Sequence, residues 1–197
     1  MSNTYKYGLS NVFYALIEEK IDETTGAITT EYGTPKAWPG AVSVSFSAQG
    51  GNDPFYADNG VYAMLNNNNG YSGDFESALI PEDILVSVLG QHKDATTGLI
   101  YESGDDKNGE FALMFQFEGD AEATRHVFYR CTLTRPNVEG STQGENKEVK
   151  TESVTITCMK RKDADHLTKG YMPKSGAKYD DFFKSVILPS TSAKAEG

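Results

Sequence analysis

The sequence predicts one mainly-β domain, an antiparallel β-sandwich or barrel with one or two short helices. About eight segments alternate apolar and polar residues with the period of two that is typical of strands. Residues that favour turns separate these segments, and no regular strand–helix–strand rhythm suggests a parallel sheet. At 197 residues the chain is long enough to bury a sizeable core, and we treat residues 1–197 as a single domain.

The N-terminal half contains two predicted strands and a polar connection. Residues 11–18 form the first strand and residues 41–48 the second, in which Val42, Val44 and Phe46 share one face and serines occupy the other. The connection contains Thr-Thr-Gly followed two residues later by isoleucine, and the same pattern recurs after Asp94. We therefore expect two surface turns of similar chemistry rather than a repeat architecture.

Residues 53–90 carry the densest set of structural signals. Asn59-Gly60 and Asn69-Gly70 are dipeptides of tight hairpin turns, so the sequence predicts a meander here. Pro81 marks a helix start, acidic residues fill the first turn and Gly90 marks the end. The apolar residues of this helix form one face, with Ile84, Leu85, Val88 and Leu89.

Three further strands are predicted in the C-terminal half, at residues 110–118, 125–135 and 151–160, and a polar loop at 137–150 precedes the last. Pairing of the last two strands around Gly144 places Cys131 opposite Cys158, and we expect free thiols in a reducing cytoplasm. A second short helix is indicated by the spacing of Tyr179, Phe182, Phe183 and Val186, and residues 190–197 form a flexible polar tail.

The charge is unevenly distributed. The formal net charge is −10, but residues 1–124 hold 5 Lys and no Arg against 19 acidic residues, whereas residues 125–197 hold 13 basic against 9 acidic residues. This separation is compatible with head-to-tail self-association, and equally with a simple solvated acidic surface. No apolar run is long enough to span a bilayer and no secretory signal is evident, so we expect a soluble protein that is made in the cytoplasm.

No complete catalytic, cofactor or metal-binding set is evident in the sequence. The Gly50-Gly51 pair is not followed by the lysine and hydroxyl of a phosphate-binding loop, and the three histidines are scattered. Asp163, Asp165 and His166 are the one compact cluster of possible metal ligands, but they lack the glycine and terminal glutamate of a calcium loop. We expect a protein without enzymatic activity, metal or cofactor.

Several segments resemble one protein family. PFYADN, NNGYSGDFESALIP, ATRHVFYRCTLTRP, the opening KYGLSNVFYALI and the closing YDDFFKSVILP are similar to the major tail protein, or tail tube protein, of long-tailed phages of Gram-positive bacteria. The resemblance covers most of the chain. It implies a tail tube fold, a β-sandwich flanked by a helix, and rings, usually hexameric, stacked into the tube that conducts DNA into the host.

The resemblance also implies partners and a location. The chain is expected to bind copies of itself, with a tape measure protein inside the tube and tail terminator and distal tail proteins at its ends. DNA is expected to pass without specific binding. The expected location is the virion tail, assembled in the host cytoplasm, and no membrane insertion by this chain is expected.

Two sets of site residues are predicted. Asp74 and Glu76 share a strand face, and they are either solvated surface carboxylates, an acid–base pair or, if this strand lines a tube, part of the channel wall. Residues 53–69 form a projecting hairpin arm, longer than a simple connection needs. Its apolar residues are candidates for contact with another subunit, or else the arm folds back on its own domain: Phe55, Tyr56, Tyr62, Met64 and Leu65.

Two other functions are compatible with the sequence. A carbohydrate- or receptor-binding β-sandwich would use the 11 tyrosines and the single tryptophan, Trp38, as stacking platforms. A tube protein of a bacteriocin or secretion particle would be closely related to a phage tail tube protein.

Overall fold

The structure is a computed structural model, which describes residues 7–120, 122–138, 140, 150–163 and 165–190. Eleven strands, one α-helix and one 3₁₀ turn are present among these residues. In chain order they are β1 (Tyr7–Ile21), β2 (Ile28–Tyr32), β3 (Lys36–Ala37), β4 (Ala41–Ala57), β5 (Gly60–Ser77), α1 (Glu82–Ser87), β6 (His92–Lys93), β7 (Ile100–Tyr101), β8 (Phe111–Glu118), β9 (Arg125–Leu133), β10 (Glu152–Cys158), β11 (Lys169–Met172) and the 3₁₀ turn Tyr179–Asp181.

Nine of the described strands form one antiparallel sheet, which confirms the predicted mainly-β antiparallel class. The strand order is β2-β1-β8-β9-β10-β5-β4, with β3 paired to β1 and β11 paired to β9. The sheet is curved, because β4 at one end of this order also contacts β1 near the other end. β6 and β7 form a separate small hairpin.

The main core fills the concave side of the curved sheet. Alternation along β1 directs Val12 and Tyr14 into it. Ile84 of α1 and Val88, the C-cap of that helix, enter the core from the predicted apolar face. Trp38 is 2% exposed and makes an edge contact with the Phe75 ring, at 4.6 Å between centroids. Burial of these side chains at about 25 cal/mol per Å² is the main source of stability in such a domain.

A second, smaller core lies on the opposite face of β1, β8 and β9. The side chains on this side pack against Phe182 in the C-terminal segment, residues 182–190, and they include Ala15, Met114, Val127 and Tyr129. The predicted second helix is only partly correct, because the backbone forms the single 3₁₀ turn Tyr179–Asp181. The four residues with the predicted spacing are nevertheless either buried or packed against the second core: Tyr179, Phe182, Phe183 and Val186.

A partly buried ion pair joins β9 to the residue before β8. Arg130 donates two hydrogen bonds to the Glu110 carboxylate, of 2.7 Å from Nε and 2.6 Å from Nη2. This forked geometry is the strong form of an arginine–carboxylate contact. The Arg130 guanidinium lowers the pKa of Glu110 below its ordinary value despite partial desolvation.

The cysteine prediction is confirmed in its geometry. Cys131 lies directly opposite Cys158 in the β9–β10 register, and both thiols are free and buried, with 3.2 Å between the sulfur atoms. Burial raises the pKa of Cys131 well above its ordinary value. The predicted turn at Gly144 lies outside the described residues.

Two local predictions are wrong. Asn69-Gly70 does not form a hairpin turn but lies inside β5, at a bulge in the pairing with β4. Val42 does not share the core face, because a second bulge between Ala41 and Ser43 shifts the alternation and leaves Val42 50% exposed. Both errors have one cause, since each bulge inserts a residue that periodicity does not reveal.

Candidate assembly surfaces

The longest strands of the sheet, β4 and β5, continue beyond it as a two-stranded arm. The arm consists of residues 50–57 paired with residues 60–68. Its turn has positive φ at Asp58 and Asn59, 50° and 62°, which is the signature of the type I′ turn that suits the twist of a hairpin. The central residues are therefore Asp58-Asn59, one position earlier than Asn59-Gly60 suggests.

The apolar side chains of the arm are uncovered. All five predicted candidates lie on it, with exposed fractions from 53% to 72%: Phe55, Tyr56, Tyr62, Met64 and Leu65. The register places Leu65 opposite Asp53 and Ala63 opposite Phe55 on one face, and Met64 opposite Pro54 on the other. Because successive residues alternate between faces, both faces of the ribbon are apolar. Folding back on its own domain would cover only one of them.

The base of the arm requires glycine. Gly70 has φ of +86°, and a Cβ built there would lie 2.0 Å from the carbonyl oxygen of Cys158. Gly50, on the opposing strand, has φ of +128°, and its Cβ would lie 2.0 Å from the carbonyl oxygen of Asn67. A side chain at either position would thus meet backbone, in addition to adopting a backbone conformation that only glycine tolerates well. The Asn69-Gly70 signal therefore marks the point where the arm leaves the sheet.

A hydroxyl-rich acidic face covers the convex side of β4, β5 and β10. The register aligns Asp74 with Ser45 and Thr155, and Glu76 with Ser43 and Ser153. Thr155 donates a hydrogen bond of 2.9 Å to Asp74, and Ser43 donates one of 3.0 Å to Glu76. Thr151 donates a further bond to Glu76 and is the main cause of the lowered pKa of that carboxyl, followed by Ser43.

Asp74 and Glu76 are each bound by hydroxyls, and no described histidine, cysteine or lysine is hydrogen-bonded to either. Hydrogen bonds from hydroxyl groups stabilise the charged form of a carboxylate, and at Glu76 they lower the pKa.

Two of the three residues of the possible metal cluster make other contacts. Asp163 forms an ion pair with the buried Arg161, and the Nδ1 atom of His166 lies 3.2 Å from the Arg161 carbonyl oxygen. Across the part of the chain that the structure describes, no group of three or more His, Cys, Asp or Glu side chains is placed to hold a metal ion.

Comparison with known proteins does not identify a family for this chain. No protein-family model matches the chain, and no curated protein matches it by sequence. Among solved structures, it is similar to a chain described as "Cryo-EM structure of the anti-feeding prophage (AFP) baseplate, 6-fold symmetrised". That match has a TM-score of 0.36 and 8% identity and covers 88% of this chain and 100% of the other. A TM-score of this size does not establish a common fold, so nothing about function follows from it.

The stacking platform that a carbohydrate site would need is not available at Trp38. Its ring lies in the main core between Tyr14 and Phe75 and cannot contact a sugar from solvent.

No helix in the described ranges is long and apolar enough to cross a membrane.

An apolar groove that the sequence did not predict lies between β11 and the C-terminal segment. Its volume is about 270 Å³, and its lining is apolar apart from Lys169, with Val127, Leu167, Tyr171, Met172, Phe182, Ile187 and Leu188 among the residues. The segment on its far side is held in place by the Tyr129 hydroxyl, which donates a 3.0 Å hydrogen bond to the Ile187 carbonyl. The one sequence signal related to this groove is the apolar spacing after Tyr179. The groove itself could not be predicted, because it forms where β11 and this segment pack together over a long sequence separation.

Proposed function

We propose that this chain is a structural subunit that assembles with copies of itself into stacked rings, forming the tail tube of a phage or of a related particle. The resemblance of the sequence to tail tube proteins supports the proposal, and so does an antiparallel sheet with a long hairpin extension. The rings are usually hexameric in that family, and we extend this number to the present chain.

One observation carries the proposal, namely the uncovered apolar arm. An isolated two-stranded ribbon is marginally stable in water, and this one exposes apolar side chains on both faces. Exposed apolar patches of this kind mark surfaces that associate with another protein. A heterologous contact, in which the arm of one copy lies on a different surface of the next, generates rings or filaments rather than closed dimers.

The acidic hydroxyl face then has a function as the channel wall. DNA binding strengthens with each phosphate that a protein neutralises, so a conduit must avoid basic residues on its wall. Asp74 and Glu76 lie on a surface whose other members are serine and threonine. Since charges are screened within about 8 Å at physiological salt, only carboxylates that face the channel would keep DNA from adhering.

The remaining parts of the proposal follow from the same assembly. The partners are other copies of the chain, a tape measure protein inside the tube and tail terminator and distal tail proteins at its ends. The location is the virion tail, after assembly in the host cytoplasm. The subunit has no enzymatic activity, and DNA passes without specific binding.

Negative-stain microscopy of the concentrated protein tests the assembly. We expect rings or tubes for the wild-type chain and a folded monomer when residues 54–68 are replaced by a short glycine turn. Normal tubes from the shortened chain would show that the arm is dispensable, and an unfolded shortened chain would place the arm in the core. Persistent wild-type monomers that bind glycans would support a binding module instead.

A charge reversal tests the channel wall. Replacing both Asp74 and Glu76 with lysine should leave assembly intact, because both side chains lie on the convex face and outside the core. The lysine tubes should retain DNA that wild-type tubes release, as measured by a salt-dependent shift assay. If they show no new DNA affinity, this face does not line the channel.

A further inference from the structure

The two cysteines of the chain meet at one place in the sheet. Cys131 of β9 lies directly opposite Cys158 of β10, and both side chains point into the main core, where neither is exposed. Their sulfur atoms are 3.2 Å apart. Buried cysteines commonly act as small apolar side chains, a role that does not require two thiols in contact. The backbone around them decides whether the two sulfur atoms can bond.

The backbone at this pair has the spacing that a disulfide needs. The Met159 amide donates a hydrogen bond of 2.7 Å to the Arg130 carbonyl, immediately beside the two cysteines. Because hydrogen-bonded and non-hydrogen-bonded pairs alternate along an antiparallel ladder, Cys131 and Cys158 form a non-hydrogen-bonded pair. The Cα atoms of such pairs are about 4.5 Å apart, within the range of about 4.4–6.8 Å that disulfides have. The sulfur atoms can therefore bond without a change in register.

The pair lies at the shortest junction along the main strand order. Among the described residues, the register joins β9 to β10 only through Cys131, Thr132 and Leu133. On the N-terminal side of this stretch, the same edge of β9 pairs with β11 instead. In the hydrogen-bonded order, the junction connects β5 and β4, which carry the arm, to the other strands. A covalent bond at the cysteines would thus fasten the sheet where its backbone pairing is least extensive.

We infer that Cys131 and Cys158 form a disulfide bond when the folded protein meets a peroxide, and that this bond strengthens the junction between β9 and β10. One sulfur, as its thiolate, attacks a peroxide oxygen, the O–O bond breaks, and the leaving hydroxide takes up a proton to form water. The second sulfur attacks the resulting sulfenic sulfur, the S–O bond breaks, and a second water leaves with the remaining thiol proton. Two thiols and one hydrogen peroxide thus give one disulfide and two waters.

Burial sets the rate of this reaction. The thiolate is the reacting form, and burial raises the pKa of the Cys131 thiol, so the bond forms slowly. Hydrogen peroxide is little larger than water, whereas a maleimide is too bulky for a site without exposed surface. Cytosolic reductants keep such thiols reduced, which agrees with the free thiols expected in the cytoplasm. Bond formation does not depend on self-assembly and is separate from the proposed function.

Peptide mapping of the peroxide-treated native protein tests the inference. After the peroxide is removed, the chain is unfolded in excess maleimide, which labels every remaining thiol. We expect an unlabelled chain with a peptide linked through Cys131 and Cys158, and two labels if the chain is reduced first. Two labels without reduction, sulfinic acids at the cysteines, or disulfides between chains would overturn the inference.

The matched control is the double variant Cys158→Ala/Thr157→Cys, which moves the thiol to the opposite face of β10. It should form no bond within the chain under the same treatment, and a bond formed at the wild-type rate would overturn the geometric argument. In the wild-type chain the bond links residues 27 positions apart, so oxidation should lower the equilibrium constant for unfolding roughly 10- to 300-fold. Urea unfolding with and without reductant measures this change, and an unchanged or lowered midpoint would overturn the role at the junction.

Discussion

Replacing Tyr62 with alanine should weaken self-association far more than it weakens the fold. Its ring is 72% exposed, and an aromatic side chain buries roughly 150–250 Å² when it is fully covered. About 140 Å² is thus available for a contact, which corresponds to about 3.5 kcal/mol at about 25 cal/mol per Å². Ordering the side chain costs about 0.5–1.5 kcal/mol, so about 2–3 kcal/mol per contact remains. The association constant should fall roughly 30- to 150-fold.

The assay is sedimentation velocity over a concentration series, combined with urea unfolding of the monomer. The fold should lose less than about 0.5 kcal/mol, because the ring lies on the surface and its described ring contact is Phe55, at 6.3 Å between centroids. Tyr101→Ala is the matched control, since that tyrosine is 49% exposed on β7 and outside the arm. The reasoning is refuted if Tyr62→Ala assembles at the wild-type concentration, or if Tyr101→Ala weakens assembly as much.

Three further predictions concern the fold. Gly70→Ala should lower the free energy of unfolding by about 2–4 kcal/mol, because of the positive φ and a clash with backbone, whereas Gly51→Ala, with open space at its Cβ, should lower it by less than about 1 kcal/mol. Urea unfolding measures both values, and equal losses would contradict the bulge geometry. Glu110→Gln should destabilise the protein at pH 7, and the difference from wild type should shrink as pH falls below about 4, because a lowered folded-state pKa gives stability that is lost on protonation; a pH-independent difference would argue against the ion pair. Cys131 and Cys158 should not react with a thiol reagent in the native state and should both react after unfolding, so fast native labelling would contradict their burial.

The sequence predicted the sheet well because alternation is a local property. The strands β8, β9 and β10 were located within about two residues, and the opposition of Cys131 and Cys158 followed from matching two apolar faces. The two Thr-Thr-Gly turns also behave alike. Asp22 accepts hydrogen bonds from two following amides at 2.8 and 3.0 Å, and Asp94 does the same at 2.7 and 3.1 Å.

The prediction from sequence was wrong where one local signal is compatible with two different structures. Asn69-Gly70 supplies positive φ, which a two-residue hairpin turn and a β-bulge both require, and nothing local distinguishes them. Only the pairing of β5 with β4, which is present on both sides of these two residues, shows that the strand continues through them. The shift at Val42 has the same origin, because a bulge reverses the faces of all residues on one side of it.

The candidate surfaces were predictable to different degrees. The arm residues and the carboxylates of the acidic face were named from the sequence, because each set depends on one hairpin or one strand. The groove was not named, since it requires β11, β9 and the C-terminal segment to meet over a long sequence separation. That another copy covers the arm remains a prediction.

The central claim is that the exposed arm is covered by another copy of this chain. An electron cryo-microscopy reconstruction of the particles that the concentrated protein forms would test it most directly. The account predicts that residues 52–66 are buried against a different subunit, with the rings of Tyr62 and Phe55 out of contact with solvent. A reconstruction in which these residues project into solvent, or lie on the sheet of their own chain, would contradict it.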